Sequence, residues 1–275
     1  MDTAALDHII RLALEEDAPE GDITSAALVP TDARSEAVIT AKEDGVMAGM
    51  PAARRVFELV DPDIALNAFI DEGADFENGQ ALAMVRGRTA SILTGERVAL
   101  NFLQRLCGVA TLTRRYVAAV AGTKAKILDT RKTTPGLRFL EKYAVRMGGG
   151  ANHRMSLSDM VLIKDNHLAF IGRIADAVRL ARQKAPQGKR IEVEVKDLDE
   201  LKEALEAGAD MVMLDNMTPA MIKKAVEMTA GRVPLEASGN IRLETVHLVA
   251  ETGVDFISVG ALTHSFKAVD ISLEF

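Results

Sequence analysis

Two adjacent cations in the middle of the chain, Arg131 and Lys132, stand where a strand is expected to end. They follow Lys126–Asp129, a short run of strand type, and precede Pro135-Gly136, a pair typical of a sharp turn into a helix. Arginine offers a planar fork for carboxylates and phosphates, and lysine offers a compact charge. The pair therefore predicts an anion-binding edge, although solvated or salt-bridged cations at a strand end would look the same in the sequence.

The segment around this pair is basic in an otherwise acidic chain. From Lys124 to Arg154 there are eight lysines or arginines against two acidic residues, whereas the whole chain carries a formal net charge of −7. A local basic patch of this kind favours a small anionic substrate over a nucleic-acid surface. Aromatic residues make up only 4% of the chain and tryptophan is absent, which also argues against base stacking on aromatic side chains.

Further polar residues follow the later strand-type runs. If these strands form a parallel (β/α) barrel, their carboxyl ends meet at one edge, where such barrels carry their chemistry. The sequence places cations at the ends of early strands, carboxylates at the ends of middle strands and glycine turns at the ends of late strands: Arg131, Lys132, Lys164, Glu194, Asp215, Ser238, Gly239 and Gly260. Each has an ordinary explanation by itself, such as Asp215 capping a helix or Lys164 pairing with Asp165, but the combination predicts a site.

Two of these groups suit particular ligands. Backbone N–H groups at Ser238-Gly239 and at Gly260 are suited to a phosphate, with an ordinary tight turn as the alternative. Glu194 and Asp215 offer carboxylate oxygens, which suit Mg²⁺ or sugar hydroxyls, and their spacing is not that of a structural zinc site.

A glycine-rich segment carries two more candidate ligands. Gly148-Gly149-Gly150 is followed closely by His153 and Arg154. A lone histidine is more often structural, but a histidine beside an arginine after three glycines favours a functional role.

The elements that would position these residues fall into two parts. Helical and strand-type patterns predict a small N-terminal α+β sandwich, over residues 4–16, 35–46, 51–60, 64–71 and 81–86. A helical pattern over 90–105 is followed by Gly108 and resumes at 111–120, so we expect a helix break at Gly108.

After residue 124 short β-type runs alternate with helical patterns, with the runs at 126–129, 160–163, 191–195, 211–214, 233–236 and 256–259. This alternation implies parallel strands joined by right-handed crossovers. It predicts an incomplete (β/α) barrel, and a doubly wound open sheet is the alternative. We place the domains at 1–110 and 111–265, with the tail 266–275 as a segment that can return to the first domain.

The bulk composition is that of an ordinary globular protein. The 275 residues are 48% hydrophobic and 27% charged, and no apolar run approaches the roughly 20 residues that cross a bilayer. The acidic N-terminal segment does not have the pattern of a signal peptide. The single cysteine, Cys107, excludes an intrachain disulfide and has the setting of a core residue. We therefore predict a cytoplasmic protein without membrane or nucleic-acid partners.

The chain resembles the quinolinate phosphoribosyltransferases, or carboxylating nicotinate-nucleotide pyrophosphorylases, of NAD biosynthesis. The resemblance covers essentially the whole length and rests on the segments Glu20–Ser25, Gly95–Asn101, Asp129–Thr133, Pro135–Arg138, Lys142–Val145, Gly148–Arg154, Leu162–His167, Glu192–Val195, Leu214–Asn216, Ser238–Asn240 and Val259–His264. Thr134 and Met155-Ser156 depart from the family's usual residues, and neither removes a charged ligand.

The resemblance implies an N-terminal sandwich domain, an incomplete barrel, and a homodimer or higher homo-oligomer in which subunits share a site. It implies that the two carboxylates of quinolinate are surrounded by Arg97 from the partner and by Arg131, His153, Arg154 and Lys164. It further implies four catalytic residues, namely Lys132, Lys164, Glu194 and Asp215.

The second substrate implied by the resemblance is phosphoribosyl pyrophosphate. Lys132 would contact its pyrophosphate, and Glu194 and Asp215 would face the ribose hydroxyls and Mg²⁺. The residues expected to hold its 5-phosphate are Ser238, Gly239, Gly260 and His264.

Two other functions fit parts of the pattern. A barrel lyase or aldolase would use Lys164 as a Schiff-base amine, but it would leave the arginines without a role. A non-catalytic relative, such as the molybdenum-transport-associated branch, would share the fold but differ around Lys164.

Overall fold

The computed structural model describes residues 2–275. The density of internal contacts divides these residues into two compact units. Unit one comprises residues up to 114 together with 133–149 and 263–275, and unit two comprises 115–132 and 150–262. The predicted domain limits at residues 110 and 265 stay a prediction.

The helices are α1 (Thr3–Asp17), α2 (Ile23–Leu28), α3 (Met50–Val60), α4 (Thr89–Ala119), α5 (Arg138–Met147), α6 (Asp165–Ile171), α7 (Ile174–Lys184), α8 (Leu198–Glu206), α9 (Pro219–Thr229), α10 (Val246–Ala250) and α11 (Ala261–His264). The strands are β1 (Arg34–Ala41), β2 (Gly45–Val46), β3 (Ala65–Ala68), β4 (Asp75–Phe76), β5 (Ala81–Arg88), β6 (Lys126–Leu128), β7 (Val161–Ile163), β8 (Ile191–Val195), β9 (Met211–Asp215), β10 (Leu235–Ser238), β11 (Phe256–Ser258) and β12 (Ile271–Glu274).

Unit one contains an antiparallel sheet in the order β12-β1-β5-β3. It also contains a separate two-stranded sheet, formed by the short strands β2 and β4. The predicted strand at 35–46 is thus two strands, β1 and β2. Alternate residues of β1 are buried, including Ala37, Ile39 and Ala41. This is the pattern of a sheet with one covered face, and it bears out the predicted N-terminal sandwich of strands and helices.

The expected helix break at Gly108 is wrong, because α4 runs without interruption from Thr89 to Ala119. The reason lies in packing within unit one. A Cβ atom on Gly108 would lie 2.3 Å from the carbonyl oxygen of Lys267 and 3.0 Å from the ring of Phe266. The glycine therefore lets the C-terminal tail approach the helix closely, and the sequence gives no sign of that tertiary contact.

Unit two contains a parallel sheet in the order β6-β11-β10-β9-β8-β7. Each strand from β7 to β10 pairs with the next strand along the chain, and β11 pairs with β6. The order advances in one direction without the reversal of a doubly wound sheet, so that alternative is wrong. Since β6 and β7 are the two edges, the sheet is an incomplete (β/α) barrel, as predicted.

The strands of unit two are buried on both faces, as parallel strands between helices are. All four residues Met211–Leu214 of β9 are buried. Helices begin where the sequence supplies caps: Asp197 accepts two amide hydrogen bonds at the start of α8, and Thr218 accepts one at the start of α9, where Pro219 is the first residue.

Cys107 is buried in α4, and burial raises the pKa of its thiol to about 12, so it is a core residue as predicted. Among residues 2–275, no helix combines the length and apolar character that a membrane crossing requires.

Asp61 offers a test of the packing in unit one. This buried carboxylate accepts hydrogen bonds from Arg88 and Ser91, at 2.9 and 2.8 Å. The bond from Arg88, helped by Ser91 and opposed by burial, lowers the pKa of Asp61 from 3.8 to about 2. We expect Asp61→Asn to lower the free energy of unfolding near neutral pH by about 1–3 kcal/mol, because Arg88 loses a charged acceptor.

Since the folded pKa is depressed, this contribution is present above the unfolded pKa and is lost as the pH falls from about 4 to about 2. Urea unfolding of the wild type and the variant across this range measures it. Asp71→Asn, at an exposed carboxylate, is the control. A difference between wild type and Asp61→Asn that is constant down to the lowest pH would contradict the assignment.

Candidate functional site

Apart from Arg97 and His264, all predicted site residues belong to unit two. Arg97 lies on α4 with an exposed side chain, and its ion pair with Glu96 is long, at 3.9 Å. His264 ends α11 and is exposed, with Nδ1 2.7 Å from the hydroxyl of Ser265. Both residues belong to unit one.

The carboxyl end of β6 is organised by a buried aspartate, Asp129. Its Oδ1 accepts the backbone N–H of His153 at 2.9 Å, and its Oδ2 accepts the side-chain amide of Asn152 at 2.5 Å. Arg131 and Lys132 follow within three residues, half-buried and exposed respectively. The predicted cations therefore do stand just past a strand end.

The segment after the glycine run continues the sheet alongside β6. Ala151 forms a parallel bridge with Leu128, and its N–H donates to the carbonyl of Ile127 at 2.8 Å. The N–H of Asp129 donates in turn to the carbonyl of Ala151. Because the bridge is parallel, the residues after Ala151 lie at the same edge as those after β6, which brings His153 and Arg154 to the strand end that carries Arg131.

Arg154 is half-buried close to another cation. Its Nη1 donates to the carbonyl of Met160 at 3.2 Å. Burial, and next the charge of Arg131, lower the pKa of Arg154, while Glu192 and Asp159 act in the opposite direction. Two guanidinium groups that repel one another in a partly dry setting form a place where an anion is stabilised.

A buried polar cluster lies behind this edge and was missed in the sequence. Glu192 on β8 and Glu236 on β10 are fully buried, and the Nε2 atom of His153 lies 3.1 Å from Glu192 Oε2 and 3.4 Å from Glu236 Oε2. Burial raises the pKa of Glu192. Burial lowers the pKa of His153, but the two nearby carboxylates outweigh it and raise that pKa overall. The available signal was a glutamate inside each of two apolar strand runs, Ile191–Val195 and Leu235–Ser238.

Lys164 and Glu194 form an ion pair between neighbouring strands. Parallel β7 and β8 pair with Ile163 opposite Val193, so the residues that follow lie side by side. Lys164 Nζ is 2.8 Å from Glu194 Oε2, and the glutamate side chain is only 11% exposed. Glu192 and Glu194 share one face of β8, as the two-residue period of a strand requires.

Asp215 is tied to the glycine turn after β10 by one asparagine. Asn216 donates from Nδ2 to Asp215 Oδ2, accepts from Asn240 Nδ2 at Oδ1, and donates its backbone N–H to Ser238, each at 2.9 Å. Asn216 and Asn240 have φ of 54° and 51°, and Gly239 has φ of 94°. The strained backbone of this turn fixes the position of Ser238-Gly239 relative to Asp215, its neighbour in the register of β9 and β10.

Gly260 is half-buried between the end of β11 and the start of α11. The structure thus places Ser238 at the end of β10, Gly239 just after it and Gly260 just after β11, and these two strands are adjacent in the sheet. Loops after the last strands of a barrel commonly bind phosphate through backbone N–H groups.

The arrangement at the carboxyl edge of unit two can bind anions and a hard cation. Arg131, Arg154 and Lys164 supply positive charge for carboxylates or phosphates. The donor set of Glu194 and Asp215, on the adjacent strands β8 and β9, consists of oxygen atoms only and therefore fits Mg²⁺ better than a soft metal ion.

Comparison with known proteins identifies related chains. Two family models match, "Quinolinate phosphoribosyl transferase, N-terminal domain" over residues 22–107 and "Quinolinate phosphoribosyl transferase, C-terminal domain" over residues 109–274. The chain is 46% identical to an Arabidopsis thaliana chloroplastic "Nicotinate-nucleotide pyrophosphorylase [carboxylating]", covering 99% of this chain and 83% of the relative. It is 44% identical to a Bacillus subtilis "Probable nicotinate-nucleotide pyrophosphorylase [carboxylating]", covering 94% and 89%.

Solved structures of proteins with related names have the same fold as this chain. The crystal structure of NadC from Streptococcus pyogenes superposes with a TM-score of 0.97 at 41% identity, covering 100% of this chain and 97% of the other. A nicotinate-nucleotide pyrophosphorylase from Francisella tularensis superposes with a TM-score of 0.94 at 41% identity, covering 100% and 97%.

Gly239 offers a test of the asparagine-tied turn. A Cβ atom at this position would lie 2.3 Å from Asn216 Oδ1. We expect Gly239→Ala to lower the free energy of unfolding by about 1–3 kcal/mol more than Gly188→Ala does. Gly188 is a matched control, because it also has a positive φ, 83°, but has nothing within 4 Å of an added Cβ. Thermal unfolding measures both, and equal losses would show that the close approach to Asn216 is not a constraint.

Proposed function

Since the chain belongs to the quinolinate phosphoribosyltransferase family, we propose that it transfers the phosphoribosyl group of phosphoribosyl pyrophosphate to the pyridine nitrogen of quinolinate. The nucleotide formed first then loses one carboxylate, so the overall reaction gives nicotinate mononucleotide, pyrophosphate and CO₂. The reaction is a step in NAD biosynthesis, and the enzyme is a decarboxylating transferase.

The observation that carries this proposal is the half-buried pair of arginines at the end of β6. Arg131 and Arg154 are near enough for the charge of one to lower the pKa of the other. Keeping two like charges together costs free energy that a dianion recovers, since each guanidinium can bind one carboxylate through two hydrogen bonds. Lys164 and His153 are predicted to line the same site.

We assign the second substrate to the strands that follow. Asp215 and Glu194 would face the ribose, and the turns at Ser238-Gly239 and Gly260 would hold the 5-phosphate. Lys132 would neutralise charge on the departing pyrophosphate. The oxygen donors of Glu194 and Asp215 fit Mg²⁺, which when bound would supply further positive charge to that leaving group.

The chemistry then needs little beyond binding and charge. The pyridine nitrogen attacks the anomeric carbon as the bond to pyrophosphate breaks, and positive charge develops on the ribose. Carboxylates fixed beside it stabilise that charge, an effect worth about 3 kcal/mol for a well-placed group. The electron pair of the adjacent C–C bond stays on the ring carbon beside the pyridinium nitrogen as CO₂ leaves, and a proton from solvent then replaces the lost carboxylate at that carbon.

The Schiff-base alternative fits the geometry less well. Lys164 Nζ lies 2.8 Å from Glu194 Oε2, so this geometry gives the amine a carboxylate partner rather than presenting it to a carbonyl carbon. A lyase would also leave Arg131 and Arg154 without a ligand.

We propose in addition that two subunits share each site, with Arg97 supplied by the partner. The support is twofold. Arg97 is exposed and makes only a long ion pair, and Phe170 on α6, close in sequence to Lys164, is 93% exposed. Burial of this ring against a second subunit would remove its apolar surface from water.

The cytoplasmic location stays a prediction. The relatives are found in more than one compartment, since the plant proteins carry chloroplastic and mitochondrial names.

The direct test is turnover by the purified full chain. With quinolinate, phosphoribosyl pyrophosphate and Mg²⁺, we expect nicotinate mononucleotide by mass spectrometry. Nicotinate in place of quinolinate should react at least about 100-fold more slowly, because one arginine would be left without a carboxylate. Removing Mg²⁺ with EDTA should abolish turnover, and restoring Mg²⁺ should recover it.

The matching variants are Arg131→Ala and Arg179→Ala. The first should raise the KM for quinolinate by about 10- to 100-fold. The second removes an exposed arginine that pairs with Asp176 on α7 and should leave the kinetics unchanged. Absence of product from the wild type, or an unaltered KM in Arg131→Ala, would be incompatible with the proposed site.

Sharing of the site between subunits is tested by mixing two inactive variants, Arg97→Ala and Lys164→Ala. In a mixed dimer one site would contain both substitutions and the other neither. After complete exchange we therefore expect about a quarter of the wild-type activity. Each variant incubated alone is the control. No recovery, with mixed dimers verified by native mass spectrometry, would show that Arg97 serves its own subunit.

A further inference from the structure

His153 is fixed at three points, all within unit two. Its backbone N–H donates to Asp129 Oδ1 at 2.9 Å. Its Nδ1 accepts the backbone N–H of Arg154 at 2.8 Å. Its Nε2 lies 3.1 Å from Glu192 Oε2 and 3.4 Å from Glu236 Oε2. Both ring nitrogens therefore already have partners inside the protein.

These contacts assign the ring proton. Since Nδ1 accepts the amide N–H of Arg154, it keeps its lone pair, and the proton lies on Nε2, facing the carboxylates. The carboxylates favour a second proton on the ring, but that proton would have to occupy Nδ1 and break the bond to Arg154. The hydrogen bond from the Arg154 amide therefore opposes the second protonation of the ring that Glu192 and Glu236 favour.

The His153 ring is the group that lies nearest to the two buried glutamates in this cluster. Both are fully buried, and in residues 2–275 Glu192 Oε1 and both oxygens of Glu236 form no hydrogen bond. Burying a carboxylate oxygen that accepts no hydrogen bond costs free energy of folding. The position of these two glutamates therefore calls for a functional explanation. The group beside them is the Nε2–H of His153.

We propose that His153 is a positioning residue, which Glu192 and Glu236 hold in place and which fixes the backbone of Arg154 for binding a carboxylate of quinolinate. This inference rests on the proposed function and replaces the prediction that His153 itself contacts quinolinate. Glu192 and Glu236 thereby acquire a role in recognition although they lie behind the substrate-binding edge.

The same three side chains are close enough together to suggest a metal site, since their ligand atoms lie within 4.8 Å of one another. The hydrogen bond at Nδ1 argues against it. A metal ion at Nε2 would displace the proton there, and a neutral ring would then carry its proton on Nδ1, which would break the hydrogen bond from the amide of Arg154. The cluster is therefore a hydrogen-bond centre.

A double-mutant cycle between His153 and Arg154 tests the proposal. The readouts are kcat/KM and KM for quinolinate, with the KM for phosphoribosyl pyrophosphate alongside. We expect His153→Leu to lower kcat/KM for quinolinate by about tenfold, mainly through KM, with the KM for phosphoribosyl pyrophosphate unchanged. In an Arg154→Ala background the same substitution should change kcat/KM by less than about twofold, because its effect passes through Arg154.

Additive losses would overturn the proposal and return His153 to direct contact with the substrate. So would a His153→Leu enzyme with wild-type kinetics. Should Arg154→Ala show no measurable turnover, Arg154→Lys takes its place in the cycle. A wild-type enzyme that does not turn over quinolinate at all would instead overturn the proposed function, which keeps the two failures apart.

Two further variants test the contacts of the His153 ring individually. His153→Asn carries a side-chain oxygen near the position of Nδ1, so it should retain more quinolinate kcat/KM than His153→Leu. Glu236→Gln should raise the KM for quinolinate in the wild-type background and have no further effect in His153→Leu. His247→Asn, at an exposed histidine of α10, is the control.

Equal activity of His153→Asn and His153→Leu would overturn the role of the Arg154 amide. If a His153 variant fails to fold, the pair of Glu236→Gln and Arg154→Ala provides the same cycle. A stoichiometric transition metal in the purified wild type that is lost in Glu236→Gln would overturn the hydrogen-bond assignment in favour of a metal site.

Discussion

Two guanidinium groups held close together, Arg131 and Arg154, impose the constraint on which the rest of unit two depends. Each is half-buried, and the charge of Arg131 lowers the pKa of Arg154. Such a pair is stable only if the fold holds the two backbones rigidly and provides negative charge nearby. Asp129 provides the rigidity, since its carboxylate binds the segment that leads to Arg154. Glu192 contributes the nearby negative charge.

The parallel sheet makes this arrangement possible. Side chains two residues apart on a strand share a face, so β8 presents Glu192 deeper and Glu194 nearer its carboxyl end on the same side. The deeper glutamate pairs with His153, and the outer one pairs with Lys164. One strand thus supplies a buried support and a residue of the proposed site. The same division recurs on β10, where Glu236 is buried and Ser238 ends the strand.

Much of this could be predicted from the sequence, because the relevant signals are local. Alternation of β-type and helical runs predicted the barrel, and strand ends predicted Lys164, Glu194 and Asp215 as candidates. What failed depended on contacts distant in the chain. Gly108 has the sequence appearance of a helix breaker, but it lies within a helix, where it admits the tail at Lys267.

The supporting residues were harder to predict for a related reason. A glutamate inside an apolar strand run indicates either an outward-facing charge or a buried one, and only the sheet order shows that β8 and β10 bring Glu192 and Glu236 to the same histidine. The sequence marks Asn216 only as a member of the segment Leu214–Asn216. Its connection of Asp215 to the turn at Gly239 depends on the register of β9 and β10, which no local pattern contains.

Charge balance at the edge of the barrel links these features to the choice of substrate. Lys164 and Glu194 largely neutralise each other across 2.8 Å, and Lys132 and Asp215 carry opposite charges at the same edge. Arg131 and Arg154 add two further positive charges at this edge, and quinolinate brings two carboxylates. A monoacid offers this edge one carboxylate fewer, and the loss of the hydrogen bonds to that carboxylate is the proposed basis for rejecting it. The proposed selectivity for a dianion therefore rests on two guanidinium groups that are near enough for one charge to lower the pKa of the other.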